Sequence, residues 1–101
     1  ATPELANVAD FILSHHERWD GKGYPRGLKG EEIPLICRIL AVADAFDAMT
    51  HDRIYHQAVS EEKAVAELKR NAGSQFDPNI VKLFVEILRA EQRQQRKEQR
   101  R

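Results

Sequence analysis

Hydrophobic residues recur at helical spacing in four stretches of the chain, near residues 3–16, 34–50, 61–72 and 78–95. Each stretch opens with a start signal, a capping side chain, an early proline or both: Thr2-Pro3, Pro34, Ser60 and Asp77-Pro78. No stretch alternates apolar and polar residues with the period of a strand. We therefore predict an all-α fold, a helical bundle of about four helices without a sheet.

The second stretch is the most apolar of the four, and we expect it to form the central buried helix of the bundle. Between it and the first stretch lies a loop from residue 17 to residue 33 that is too rich in helix breakers to form a regular element. Its breakers are Gly21, Gly23, Pro25, Gly27 and Gly30. A loop this long needs a reason to persist in a compact domain, so we expect function there.

The loop sequence suggests how it could meet a ligand. Gly21 and Gly23 permit positive φ, and Pro25 favours an extended Tyr24, so the loop can present an aromatic ring and backbone amides to a bound group. The alternative is that Trp19 and Tyr24 pack in the core. No strand precedes the glycines, so they do not form a nucleotide-binding fingerprint of the Rossmann or Walker type.

The charge of the chain is balanced, with 16 basic and 16 acidic residues, which argues against binding to nucleic-acid polymers or to a membrane surface. Residues 89–101 are locally basic and carry no apolar stripe, so we expect a frayed helical tail rather than a binding element. No apolar run is long enough for membrane insertion. The single cysteine, Cys37, suits a reducing compartment, and we expect a cytoplasmic protein.

Two features conflict with a purely structural role of the helices. His15 and His16 end the first predicted helix, and adjacent helical side chains diverge by about 100°, which suits two neighbouring metal ions. Asp44 interrupts the most apolar stretch, where an ionised carboxylate is costly unless it is paired or bound to a metal. The alternatives are a helix-end histidine pair and a salt bridge from Asp44 to Arg38 or Arg53.

The run HHERWDGKGYPRGLKGEEIPLICRILAVADAFDAMT, from His15 to Thr50, resembles the signature region of HD-GYP phosphodiesterases, whose Gly-Tyr-Pro tripeptide is residues 23–25 here. The resemblance continues through Arg53, Tyr55 and Ala58 to Phe76-Asp77-Pro78. It implies that residues 1–88 are the C-terminal half of an HD-GYP domain. That family is bacterial and signalling, and it hydrolyses cyclic di-GMP or a related cyclic dinucleotide with a cluster of divalent transition metal ions.

Residue roles follow from the same resemblance. It implies metal ligands at His15, His16 and Asp44, and substrate contacts at Tyr24 and Arg53. The metals would be Fe, Mn or Zn, two or more in the complete domain, because mixed imidazole and carboxylate ligands select weakly among them. A further set is expected to support the loop or the ligands: Glu17, Asp20, Gly21, Gly23, Pro25 and Asp47. No catalytic acid or base is assigned.

Three departures from the family pattern stand out. The family usually has Arg-Pro-Tyr followed by a basic residue, whereas this chain has Arg53-Ile54-Tyr55-His56, so a phosphate contact would depend on histidine charge. The HD dipeptide normally precedes the paired histidines, but only 14 residues precede His15, and we interpret His51-Asp52 as coincidence. The resemblance does not explain the tail.

Two alternatives to a truncated phosphodiesterase stay open. One is a non-catalytic signalling module whose GYP loop binds a partner protein, such as a diguanylate cyclase domain. The other is a purely structural helical domain that self-associates through the extension of its fourth helix. A half-domain also lacks a partner on one side of its core, so a homodimer or partial disorder stays open as well.

Overall fold

The computed structural model describes residues 16–100. These residues form three α-helices, α1 (Leu35–Thr50), α2 (Glu61–Arg70) and α3 (Pro78–Gln99), and a short 3-10 helix at Gly30–Glu32. Within residues 16–100 the extended pairings are isolated bridges, and no strand is formed. The all-α prediction is confirmed, and the ends of three predicted helices lie within four residues of the observed ends. The predicted helix near residues 3–16 falls outside the described residues, apart from His16.

Local capping explains where two helices begin. The Ser60 hydroxyl accepts a hydrogen bond from the Lys63 N–H at 3.1 Å, and the Asp77 carboxylate accepts one from the Asn79 N–H at 2.9 Å. Each contact satisfies a backbone donor that the first helical turn leaves without an intrahelical acceptor. Both caps lie where the sequence predicted them.

The core lies where the three helices meet. Its central residues are Val42, Leu68, Phe76 and Val81, and the rings of Phe46 and Phe84 pack at 5.0 Å between centroids. Leu68 and Val42 are fully buried, so they contribute most directly to the burial of apolar surface.

The second predicted helix, which we expected to be the central buried helix, is buried on one side only. Leu35 is 54% exposed, Ile36 is 42% exposed, and Ile39 and Leu40 are each 39% exposed. The described helices α2 and α3 pack on the side of α1 that carries Ala41, Val42, Ala45 and Phe46. The four exposed residues lie on the opposite side of α1. None of the described helices is both long and apolar enough to cross a membrane.

A buried ion pair joins the loop to the helices. Arg38 of α1 pairs with Asp77 at 2.9 Å and also donates to the Ile33 carbonyl at 2.9 Å. Asp77 is 3% exposed and also caps α3. One guanidinium therefore holds the end of the loop, α1 and the start of α3 together.

Candidate functional site

The glycine-rich loop is anchored on the turn between α2 and α3. The N–H of Trp19 donates to the Gln75 carbonyl at 3.1 Å, and the N–H of Asp20 donates to the Ser74 carbonyl at 2.8 Å. The loop also closes on itself, because the Gly30 N–H donates to the Trp19 carbonyl at 2.9 Å. These bonds give a segment without regular structure a defined path.

Glu17 holds the part of the loop that follows the Gly-Tyr-Pro tripeptide. This residue is 5% exposed, and its two carboxylate oxygens accept the backbone N–H groups of Arg26 and Leu28 at 2.7 and 2.8 Å. These two hydrogen bonds provide acceptors for two backbone N–H groups, and they offset the free-energy cost of burying the carboxylate.

Asp20 supports the first half of the loop. Its carboxylate accepts both Arg18 guanidinium hydrogen bonds, at 3.2 and 3.1 Å, and the Lys22 N–H at 3.0 Å. The hydrogen bonds from Arg18 are the main reason that the pKa of Asp20 lies below its usual range. The carboxylate is therefore ionised at neutral pH and engaged within the loop.

Gly21 and Gly23 are required to be glycine for different structural reasons. Gly21 has φ +82, as the sequence suggested, but Gly23 is not among the residues with positive φ. A Cβ on Gly23 would lie 2.5 Å from both the Arg18 nitrogen and the His16 carbonyl oxygen. Gly23 is thus required by close approach of two backbone segments rather than by its dihedral angles.

That close approach brings Tyr24 to His16. The two rings stack with centroids 4.8 Å apart and planes 14° apart, and the Tyr24 N–H donates to the His16 carbonyl at 3.3 Å. The peptide bond between Tyr24 and Pro25 is cis. Tyr24 is 63% exposed, so its ring lies at the surface beside His16 and is not core packing.

Asp44 lies on the exposed side of α1 and lines an open groove of about 630 Å³. Arg53, Tyr55 and His56 line the same groove, together with Asp47, Ala48 and Met49. The structure therefore brings one predicted metal ligand and one predicted substrate contact to a common surface. Arg38 pairs with Asp77, and Arg53 lies 3.9 Å from Asp47.

A tight turn after α1 contributes Arg53, Tyr55 and His56 to the groove. The N–H of Arg53 donates to the His56 carbonyl at 2.8 Å, and the His56 N–H donates back to the Arg53 carbonyl at 3.1 Å. The His56 ring lies 3.3 Å from the Met49 carbonyl. Backbone contacts therefore hold the side chains at positions 53 and 56 near the end of α1.

His51 and Asp52 make local contacts. The His51 ring lies 3.2 Å from the Asp47 carboxylate, and the Asp52 carboxylate accepts the Ala58 N–H at 2.7 Å. These contacts organise the segment that leaves α1, and the interpretation of this His-Asp pair as coincidence stays a prediction.

The metal site itself stays a prediction. In the part of the chain from residue 16 to residue 100, no three His, Cys, Asp or Glu side chains are grouped so that they could hold a metal ion. His15 lies outside the described residues, so the predicted convergence of His15, His16 and Asp44 is not tested. Imidazole and carboxylate donors suit a transition metal, but the described residues supply an incomplete set.

Sequence reasoning missed the burial of Glu17 and the pairing of Arg38 with Asp77. Glu17 was expected only to support the loop, and no sequence pattern indicates that it binds backbone groups nine and eleven residues later. The Asp-Pro start of α3 marked Asp77 as a cap but not as the partner of a residue on α1. Tyr55 also had no assigned role, although it lines the groove.

The sequence of the chain is similar to those of known proteins. A model of the HD domain family matches residues 1–80. A cyclic di-GMP phosphodiesterase of Thermotoga maritima is 45% identical over 86 residues, which are 85% of this chain and 23% of that enzyme. A 3'3'-cGAMP-specific phosphodiesterase of Vibrio cholerae is 44% identical over 83 residues, or 81% of this chain and 16% of the enzyme.

A solved structure is also similar. The crystal structure of a cyclic GMP-AMP specific phosphodiesterase of Vibrio cholerae superposes with a TM-score of 0.71 at 35% identity, covering 81% of this chain and 18% of that one. The chain thus spans about a fifth of the length of its relatives. With a family model over residues 1–80 and relatives of 45% identity over most of its length, the chain belongs to the HD domain family, in its HD-GYP branch.

Proposed function

We propose that this chain is part of a metal-dependent phosphodiesterase module that hydrolyses cyclic di-GMP or a related cyclic dinucleotide. The observation that carries the proposal is the common groove of Asp44 and Arg53. A carboxylate suited to a metal ion and a guanidinium suited to a phosphate oxygen are the two groups that phosphodiester hydrolysis needs side by side.

In this proposal His15, His16 and Asp44 hold divalent ions, with Fe, Mn or Zn as the metals and two or more ions in the complete domain. Such ions activate water and stabilise the charge of the pentavalent transition state. Arg53 binds a phosphate oxygen, and His56 adds positive charge when it is protonated. Tyr24 contributes a surface for the ligand, and its stacking on His16 keeps that surface beside a metal ligand.

The proposal also includes the other half of the domain. Residues 1–88 form the C-terminal half of an HD-GYP domain, and the exposed apolar side of α1 is the surface that the other half covers. A homodimer through this surface is the alternative. The single buried cysteine suits the reducing conditions of the cytoplasm, where we place the protein.

Asp44→Asn in the complete protein tests the proposal. Losing a charged metal ligand should reduce cyclic di-GMP hydrolysis by at least about 100-fold and lower the bound metal measured by elemental analysis. Glu86→Gln is the matched control, since it removes a carboxylate on α3 that lines a different surface depression. Wild-type metal content and activity in Asp44→Asn would contradict the assignment.

A second function is favoured by the exposure of Tyr24, which is 63%. The GYP loop would then bind a protein partner, such as a diguanylate cyclase domain, without catalysis. Wild-type protein that retains no metal and hydrolyses no cyclic dinucleotide, yet loses binding to the cyclase domain on Tyr24→Ala, would support this function over the first.

A further inference from the structure

The tight turn after α1 presents two large apolar side chains to solvent. Ile54 is 105% exposed and Tyr55 is 88% exposed, although the turn that carries them is closed by two backbone hydrogen bonds. Neither side chain packs in the core of the described residues, so both can contact a group outside it.

The two residues differ in what they face. Tyr55 lines the groove that contains Asp44 and Arg53, whereas Ile54 is not among the residues that line it. The volume of the groove, about 630 Å³, lies in the range of small-molecule sites. An exposed aromatic ring at the edge of a groove with phosphate-binding and metal-binding groups provides a flat apolar face next to the charged ones.

We infer that Tyr55 is a stacking surface for a purine base of the cyclic dinucleotide, separate from the Tyr24 ring of the GYP loop. The inference rests on the proposed function and adds the base contact to it. A cyclic dinucleotide carries two purines beside its two phosphates, and a base has a π face that stacks on tyrosine whatever its edge groups. A phosphate held at Arg53 places the attached nucleoside within the same groove, and Tyr55 lies two residues from Arg53.

The test uses the complete protein with three variants, Tyr55→Ala, Tyr55→Phe and, as matched control at the same turn, Ile54→Ala. Tyr55→Ala should weaken cyclic di-GMP binding and raise its KM by about 5- to 150-fold, because stacking on one base is lost. Tyr55→Phe keeps the ring and should bind like the wild type, and Ile54→Ala should bind like the wild type as well.

Two further measurements separate stacking from a structural role. A cyclic dinucleotide containing 2-aminopurine should lose fluorescence on binding to wild type and Tyr55→Phe, but much less on binding to Tyr55→Ala. Turnover of methyl p-nitrophenyl phosphate, a phosphodiester without a purine, should fall much less in Tyr55→Ala than turnover of cyclic di-GMP does.

Each other outcome has a defined meaning. Wild-type affinity and quenching in Tyr55→Ala would overturn the inference alone. Equal loss of turnover of both substrates in Tyr55→Ala with a lower melting temperature would assign Tyr55 to packing. Losses in Ile54→Ala equal to those in Tyr55→Ala would show that the turn as a whole is responsible, and would overturn the assignment of stacking to the Tyr55 ring. A wild-type protein that neither binds nor hydrolyses a cyclic dinucleotide would overturn the proposed function and this inference together.

Discussion

Glu17 is the residue whose side chain most directly fixes the backbone path of the GYP loop. It is nearly buried and accepts two backbone N–H groups that flank Gly27, one from Arg26 and one from Leu28. A carboxylate has an acceptor oxygen for each donor, whereas a side-chain amide offers one oxygen and one NH2 group. The ring stack of Tyr24 on His16 lies on the segment that these bonds close.

Glu17→Gln should therefore lower the free energy of unfolding of the complete protein by about 1–3 kcal/mol, the cost of leaving a buried donor without its acceptor. Amide exchange should become faster at Arg26 or Leu28. The matched control is Glu32→Gln, which alters an exposed glutamate that accepts the Lys29 N–H in the same loop and should change stability by less than about 0.5 kcal/mol. Equal losses of unfolding free energy in the two variants would contradict the prediction that the buried Glu17 stabilises the fold more than an exposed glutamate of the same loop.

At the scale of the helices, α3 is held to the first turn of α2 by exposed polar contacts. Arg89 donates to both carboxylate oxygens of Glu62, at 2.6 and 3.1 Å, and Gln92 donates to Glu61 at 2.8 Å. The helix continues beyond them to Gln99, although the sequence there has no apolar stripe. Fraying of residues 89–101 stays a prediction.

The hydrogen bond from Arg89 lowers the pKa of the Glu62 carboxyl, with their charge attraction as a smaller cause. Since this pKa is lower in the folded than in the unfolded chain, the contact stabilises at pH values above the usual glutamate pKa of about 4.3 and is lost as the pH falls through the folded value. Amide protection factors in residues 93–99 should consequently be higher at pH 6 than at pH 3.

Arg89→Ala should remove this difference between the two pH values, and Arg93→Ala, the same change one turn later, should keep it. The amide of Leu68 in the core of α2 serves as the internal reference for global stability. Protection that is the same at pH 6 and pH 3 in the wild type would contradict the role of the Arg89 contact.

At the scale of the whole molecule, the described residues contain both predicted substrate contacts, Tyr24 and Arg53, but only part of the predicted set of metal ligands. Two of the three predicted ligands lie within residues 16–100, and no group of three donors occurs there. Activation of water by two metal ions needs an inter-metal distance of about 3.5–4 Å, which a few ligands on one side cannot set. The missing donors would have to come from other parts of the domain.

Residues 1–101 alone should therefore bind cyclic di-GMP weakly and not hydrolyse it at a measurable rate, even with added Mn or Fe. The assay is run under reducing conditions with this chain alone and with this chain mixed with a fragment that carries the HD half of the domain. Activity only in the mixture would support the division of ligands between two halves. Turnover by this chain alone, abolished by His16→Ala, would contradict it.

Much of the helical framework follows from sequence because its causes are local. Ser60 and the Asp77-Pro78 pair cap and start their helices through bonds to residues two or three positions away. The order of motifs from His15 to Pro78 was also sufficient to identify the family, since it depends on residue types and spacing alone.

Only the tertiary structure decided which distant groups meet. Glu17 binds backbone groups eleven residues away, Arg38 pairs with Asp77 thirty-nine residues away, and Gly23 is required because another backbone segment passes 2.5 Å from its missing Cβ. The apolar pattern of α1 predicted a central buried helix, but which side of it is covered depends on where α2 and α3 pack. The physical reason is that caps and periodicity act within a few residues, whereas close approach, buried pairing and a shared groove exist only once the chain has folded.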